Sequence, residues 1–379
     1  MKTVLYTLLA LVILVIGFFV WFFNFYLAIP ELEISKEMSE SERIEAVDNW
    51  LLTLQEKGKF NGVVFLSKNS KVLLSKGYGY TDYKKTKKLS DKSSLRLASV
   101  SKQFTAAGIL VLAEKGQLKL DQNINSFLPQ IPYENVTIRN LLNQTSGIPD
   151  SYMELAEKNK DTIKLLTNKL AVQLISNAKR KAIFEPGQQY QYSNTNYILL
   201  ARIIEVISGR SFEAFMQKEI FGPLGMKNTR VWNLRSEDST FPTKADDFNN
   251  ALGSATKIKP SFIDGVAGDG AVFASANDMH IWDKFWYDNK LISKLLLQQA
   301  FKKPTLLNGK ESDYGFGWVI TKNGMWHNGS WLGAKTIIMR NTTQKTCTAI
   351  FDNSSNMFFD KIVKELSKFN KLQNLKKQK

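Results

Sequence analysis

The chain has 379 residues, 44% apolar and 23% charged, enough to bury a large core and unlike a disordered or fibrous composition. One cysteine, Cys347, excludes an internal disulfide and a thiolate metal cluster, and two histidines disfavour a histidine metal site, so no metal is expected. The net charge of +16 is largely terminal (residues 361–379 hold seven lysines and one glutamate) and comes without finger spacing or an arginine cluster, which argues against a nucleic-acid partner.

Residues 4–30 carry no charge, and 4–23 alone are long enough to cross a bilayer core of about 30 Å as a helix. The run is longer than a signal-peptide core and has no A-x-A cleavage site, so 1–30 is expected to be a transmembrane anchor rather than a cleaved signal. Lys2 precedes it and Glu31 and Glu33 follow, which places the body outside the cytoplasm. Cleavage would instead give a secreted or periplasmic form.

After a linker at 31–45, the periodicity predicts an amphipathic helix over 39–55, with Ile44, Val47, Trp50, Leu51 and Leu54 on one face. Strands follow at 62–67 and 71–80, joined by a short turn. Helical patterns dominate from 99 to about 300, and Ser275-Ala-Asn-Asp278 has the capping-box form. Strands return at 315–321, 324–331, 334–340 and 346–352, with Asn323-Gly324 as a hairpin turn. Cys347 falls in the last of these and reads as buried and inert. A helix at 356–369 leads into the basic tail. Strands at both ends and helices between predict an α+β fold: one antiparallel sheet with an inserted, mainly helical lobe, and a site in the cleft between.

Chemistry concentrates at residues 97–116, an amphipathic helix after Ser101 closed by Gly116. Ser99 and Lys102 lie one turn apart at its head. The N–H groups and partial positive charge of a helix start suit an oxyanion, and they favour a neutral Lys102 able to activate the Ser99 hydroxyl. S-x-x-K also occurs at Ser176/Lys179 and Ser254/Lys257, but only Ser99 opens a long apolar helix. Downstream, Tyr192-Ser-Asn194 supplies a phenol to share a proton with Ser99 and an amide to hold Lys102 or a substrate carbonyl. Tyr-x-Asn recurs at Tyr133 and Tyr287. His327-Asn-Gly329-Ser330 lies on a predicted strand, where Gly329 leaves room for substrate and the Ser330 N–H is a candidate oxyanion donor. Lys322-Asn-Gly324 fits the same pattern with lysine but sits at the hairpin tip.

The order S-x-x-K, Tyr-x-Asn, His-x-Gly resembles the serine β-lactamase and penicillin-recognising superfamily, in its class C-like branch. Leu141-Leu-Asn-Gln-Thr-Ser-Gly147-Ile-Pro-Asp is similar to its LLxHTSGLPD segment, with Gln144 where histidine is usual. Tyr192–Tyr197, Phe221–Met226 and Gly268-Asp-Gly270 through Trp282 are similar to further segments, so the resemblance covers about 46–355. It implies the β-lactamase/transpeptidase-like fold and a serine hydrolase without metal or organic cofactor. Ser99 would be the nucleophile, Lys102 and Tyr192 would move protons, and Asn194 would position Lys102 or substrate. The Ser99 and Ser330 N–H groups would form the oxyanion hole. His327, where class C β-lactamases have lysine, is similar to D-alanyl-D-alanine carboxypeptidases, D-aminopeptidases and esterases. Protonated, it is expected to hold a substrate carboxylate. The expected partners are a small peptide or ester substrate, cell-wall fragments among them, and the membrane through the N-terminal helix. A true β-lactamase and a catalytically silent member of the fold are the alternatives, and oligomeric state is left open.

Overall fold

A computed structural model describes residues 2–22, 27–236, 240–251 and 254–373. Two units divide the chain, one made of Met1–Phe60 and Met357–Lys379, the other of Asn61–Asn356.

The first unit holds helices α1 (Lys2–Trp21) and α2 (Glu40–Glu56) and, from the far end of the chain, α12 (Phe359–Gln373). Ser39 starts α2 through a capping box: its Oγ accepts from Glu42 N (3.2 Å) and the Glu42 carboxylate accepts from Ser39 N (2.6 Å). Val47, Trp50, Leu51 and Leu54 are buried as expected. Leu32 N donates to Glu365 Oε2 (2.9 Å), which ties the segment after α1 to α12. α1 exposes its apolar side chains from Leu8 to Phe19. The expected span at 4–23 runs past the described helix, and residues 23–26 lie outside the described ones. Among the described residues no helix is long and apolar enough to cross a membrane. The transmembrane expectation is therefore not supported.

In the second unit, β1 (Gly62–Lys68) and β2 (Lys71–Tyr78) join four late strands in one antiparallel sheet. These are β8 (Val319–Thr321), β9 (Gly324–Trp331), β10 (Ala334–Asn341) and β11 (Thr346–Asp352), in the order β2-β1-β11-β10-β9-β8. The expected α+β architecture, a sheet built from both chain ends, thus forms. Its interior is hydrophobic from Val63 and Phe65 on β1 to Ala349 and Phe351 on β11.

Between these strands run α3 (Lys102–Glu114), α4 (Ile138–Leu142), α5 (Tyr152–Lys158), α6 (Asn168–Ala178), α7 (Asn194–Ser208), α8 (Phe212–Met216) and α9 (Gly222–Leu224). α10 (Ala276–Phe285), which packs on β1 and β2, and α11 (Lys294–Gln298) complete them. Short strands β3 (Ser94–Arg96), β7 (Val272–Ser275) and β4 (Arg230–Val231) make a second sheet, and β5 (Phe248–Ala251) and β6 (Ser254–Lys257) pair as a ribbon. These five are not evident from periodicity, because each is too short or too completely buried to alternate.

The structure revises several local expectations. α3 is buried on every side from Lys102 to Leu112 rather than along one stripe, so it is the central helix of the unit and not a covering one. The hairpin turn is Lys322-Asn323, since Thr321 already pairs with Gly324. Gly324 serves the strand instead: a Cβ there would stand 1.9 Å from Arg340 O. β8 begins only at Val319, because Gly315 is pressed onto Ala300 O and Gly317 (φ +75°) onto the backbone of Gln103. Ser275 caps α10 through Asp278 N (3.1 Å), but Asp278 turns its carboxylate to Asn228 N and Thr229 Oγ1. Cys347 is buried, and burial pushes its thiol pKa well above the ordinary value.

Candidate active site

Ser99 is placed by the small sheet. Arg96 pairs with Phe273, and Leu97 N donates to Val272 O (2.8 Å), so β3 leads into a tight turn, Ala98–Ser101, that runs directly into α3. Ala98 takes φ +47°, a region that costs a non-glycine residue energy and is found where a reactive residue must be presented. Ser101 Oγ fastens the turn by accepting from Val272 N (3.0 Å). Ser99 is left half-buried at the cleft.

β9 closes on this turn. A Cβ on Gly329 would lie 2.7 Å from Ser99 N, 2.6 Å from Leu97 O and 2.8 Å from Thr336 Oγ1. Thr336, the β10 partner of Gly329, also donates to Leu97 O (2.8 Å). Ser330 therefore borders Ser99 in the cleft wall. β8 pairs with β9 only as far as Trp326, so among the described residues no strand covers the β9 edge from His327 to Trp331.

Lys102 is fully buried, and its Nζ donates to Ser99 Oγ (3.2 Å), Asn194 Oδ1 (2.8 Å) and Asp269 O (2.9 Å). It also lies over the Tyr192 ring at 4.9 Å. Asn194 begins α7, and its Nδ2 donates to Asp150 Oδ2 (3.0 Å), while Asp150 Oδ1 accepts from Thr195 N (3.0 Å). With an acceptor on one side and an ammonium on the other, the Asn194 amide has one satisfying orientation. Gln144, in the place where histidine is usual, accepts from Ser193 N (3.1 Å) and Asn196 Nδ2 (2.6 Å) and so holds the Tyr192 loop.

The structure thus gathers Ser99, Lys102, Tyr192, Asn194, His327, Gly329 and Ser330 around one cleft. The other motif matches fall elsewhere. Ser176 donates to Gln130 O and Ser254 lies on the β5–β6 ribbon. Tyr133 is buried in the core and Tyr287 is stacked on Arg340.

His327 differs from expectation. It is buried, with Tyr314 OH 2.8 Å from Nε2 and Asn328 O 2.6 Å from Nδ1. A carbonyl can only accept, so Nδ1 carries the hydrogen, and in the neutral ring Nε2 accepts from the tyrosine. Burial, helped by the nearby Lys102 charge, pushes its pKa down to about 3. A protonated carboxylate clamp is not what this geometry provides. His327 is instead part of an aromatic wall, with Tyr314 and Tyr192 at ring distances of 5.7 and 6.3 Å.

Beside Ser99 lies a cavity of about 270 Å³, lined among others by Arg96, Tyr152, Met153, Asp269 and Trp331. Tyr152 OH donates to Asp269 Oδ2 (2.7 Å). Burial raises the Asp269 pKa, and the Lys102 charge opposes it. Arg96 is spent on the buried Asp247 (2.6 Å) and on the Phe273 ring. Asp150, Tyr152 and Asp269 have no role in the sequence reading. Asp150 ends the Leu141 segment and Asp269 sits in Gly268-Asp-Gly270, but neither position carries a chemical role apart from the fold. Among the described residues no cluster of three or more histidine, cysteine or acidic side chains is arranged for a metal.

The Beta-lactamase family profile matches residues 47–367. Penicillin-binding protein 4* of Bacillus subtilis (strain 168) is 38% identical over 302 residues, 76% of this chain and 67% of its own length. Protein flp of Staphylococcus aureus (strain MW2) is 30% identical over 332 residues, 82% of this chain and 63% of its own, so the chain spans about two thirds of these relatives. A penicillin-binding protein from Bacillus halodurans superposes with a TM-score of 0.72 over 84% of this chain and 98% of that one; at 24% identity this carries the fold alone. Taken with a serine hydroxyl and a lysine joined at a helix head, the match over most of the chain means that it belongs to the Beta-lactamase family, as a serine hydrolase of the β-lactamase and penicillin-binding-protein kind.

Proposed function

We propose that this chain hydrolyses a small amide or ester substrate through an acyl-enzyme on Ser99. The observation that carries this is Lys102 Nζ, which links Ser99 Oγ, Asn194 and the Asp269 carbonyl in one buried arrangement. Ser99 Oγ attacks the carbonyl carbon and gives its proton to the Lys102–Tyr192 pair, which accepts it from its amine–phenol or ammonium–phenolate form. The oxyanion is held by the N–H groups of Ser99 and Ser330. Tyr192 returns the proton to the leaving nitrogen or oxygen as the C–N or C–O bond breaks, and water then attacks the ester to restore Ser99. A neutral His327 favours substrates without a free carboxylate at the aromatic wall. Esters and amino acid derivatives therefore gain on D-Ala-D-Ala peptides and on β-lactams, and cell-wall fragments enter as carriers of such groups. We place the enzyme at the cell envelope, with the exposed apolar side chains of α1 against lipid.

One labelling experiment tests both parts. A fluorophosphonate probe should label the wild-type full-length chain and not Ser99→Ala, and the labelled band should sediment with the membrane fraction. Labelling that survives in Ser99→Ala defeats the catalytic assignment, and recovery of the band in the supernatant defeats the lipid contact alone.

A further inference from the structure

Gln144 has a buried donor that neither the reaction scheme nor the loop packing uses. Its Oε1 is taken by Ser193 N (3.1 Å) and Asn196 Nδ2 (2.6 Å). Its Nε2 is buried without an ordinary hydrogen bond among the described residues, and the group it faces is the Tyr314 hydroxyl. A buried N–H left empty is costly, so its direction calls for an explanation. The two donors at Oε1 fix the amide, since turning it over would set N–H against N–H.

The hydrogens around Tyr314 run in one direction only. At the far end the Asn328 carbonyl accepts, so His327 Nδ1 donates to it across 2.6 Å. In the neutral ring Nε2 is then bare and takes the Tyr314 O–H at 2.8 Å. Tyr197, another hydroxyl near Tyr314, gives its own hydrogen to Leu142 O (2.8 Å). The Tyr314 oxygen keeps lone pairs for Gln144 Nε2. Lys102 is the charged side chain that acts on His327, and Tyr192 and Tyr314 are the phenols packed beside it.

Resting on the hydrolase reading above, we propose that Tyr314 is a positioning residue, the centre of a one-way hydrogen-bond chain from Gln144 Nε2 through Tyr314 and His327 to the Asn328 carbonyl. The chain ties together two parts of the site that are distant in sequence. One end holds the loop of Tyr192 through Ser193 N, and the other holds the β9 backbone one residue before Gly329, which closes on Ser99. His327 is then a brace, with no ring nitrogen left over for substrate. An amide suits position 144 because it accepts from the loop and donates to the phenol at once.

The test reverses the chain. In Gln144→Glu the carboxylate still accepts from Ser193 N and Asn196 Nδ2, which keeps it ionised, but it has no hydrogen to give. The Tyr314 O–H then turns to it, and two lone pairs would meet at the former 2.8 Å contact unless a hydrogen sits on His327 Nε2. The chain has two histidines, so NMR of the full-length protein labelled with nitrogen-15 histidine, assigned with His280→Gln, reads this directly. At pH 7 wild-type His327 should carry hydrogen on Nδ1 and none on Nε2, and Gln144→Glu should carry hydrogen on Nε2. On p-nitrophenyl acetate, kcat should fall about tenfold in Gln144→Glu and in Tyr314→Phe, with KM within about threefold. A wild-type hydrogen on Nε2, a bare Nε2 in folded Gln144→Glu, or kcat within about twofold of wild type in either variant overturns the proposal. The wild-type spectrum decides the direction even where a variant fails to fold. Absence of Ser99-dependent turnover of the ester refutes the hydrolase reading instead and leaves the spectra as they are, so the two failures are distinguishable.

Discussion

Substitution of Gly329 by alanine examines the contact on which the candidate oxyanion hole depends. The new Cβ would stand 2.6–2.8 Å from Leu97 O, Ser99 N and Thr336 Oγ1, where ordinary contact begins at 3.4 Å. Two of these neighbours are backbone and the third is hydrogen-bonded to Leu97 O, so none can swing away. β9 must retreat by about 0.6–0.8 Å, carrying Ser330 N away from the oxygen it is placed to receive. Removal of one oxyanion donor costs about 10²–10³ in turnover, and a shift approaching 1 Å costs about 10². A fall of two to three decades in kcat is therefore expected. The fold should lose only about 1–3 kcal/mol, as in other overpacked sites. Initial rates on p-nitrophenyl esters, normalised to active sites counted by the acylation burst, separate the two effects. A Gly329→Ala enzyme with an intact melting transition and kcat within threefold of wild type would show that β9 does not set the geometry at Ser99.

Two further outcomes follow from the hydrogen bonds around the site. With the His327 pKa pushed down to about 3 in the fold and near its ordinary 6.5 when unfolded, the unfolded chain takes up the proton first as pH falls. Stability due to the neutral ring is complete above pH 6.5 and drains away towards pH 3 by about 1.4 kcal/mol per unit. The difference in unfolding free energy between wild type and His327→Gln should follow that slope in denaturant titrations from pH 7 to 4, and a level difference contradicts the neutral ring. Asp150→Ala frees the Asn194 amide to turn Nδ2 towards Lys102, setting donor against donor. It should lower kcat about tenfold to a hundredfold with little change in KM, and Asp150→Asn, which keeps one acceptor, should fall less. Equal kcat in all three proteins would mean that Asp150 does not orient Asn194.

Much of this architecture is written locally. Ser39 and Glu42 form a capping box from their spacing, Val47, Trp50, Leu51 and Leu54 share a helix face, and β9 and β11 have the expected bounds. The residues of the cleft are legible for a related reason. S-x-x-K is a one-turn relation, and Tyr-x-Asn and His-x-Gly are each a single loop or strand, so local spacing already dictates what those groups offer.

Tertiary structure decides whatever depends on partners distant in the chain. The sequence distinguishes three S-x-x-K pairs only by context; the buried bridge from Lys102 to Asn194 and Asp269, 92 and 167 residues away, is what sets the Ser99 pair apart in the fold. Gly324 reads as a turn residue until Arg340 is found against it. His327 reads as a pH-sensitive cation, because an isolated imidazole titrates near neutrality. Burial beside Lys102, with Tyr314 and the Asn328 carbonyl satisfying both ring nitrogens, makes it a neutral wall. A side chain's type and spacing are local properties, whereas its charge state follows from desolvation and from neighbours that only the folded chain brings together.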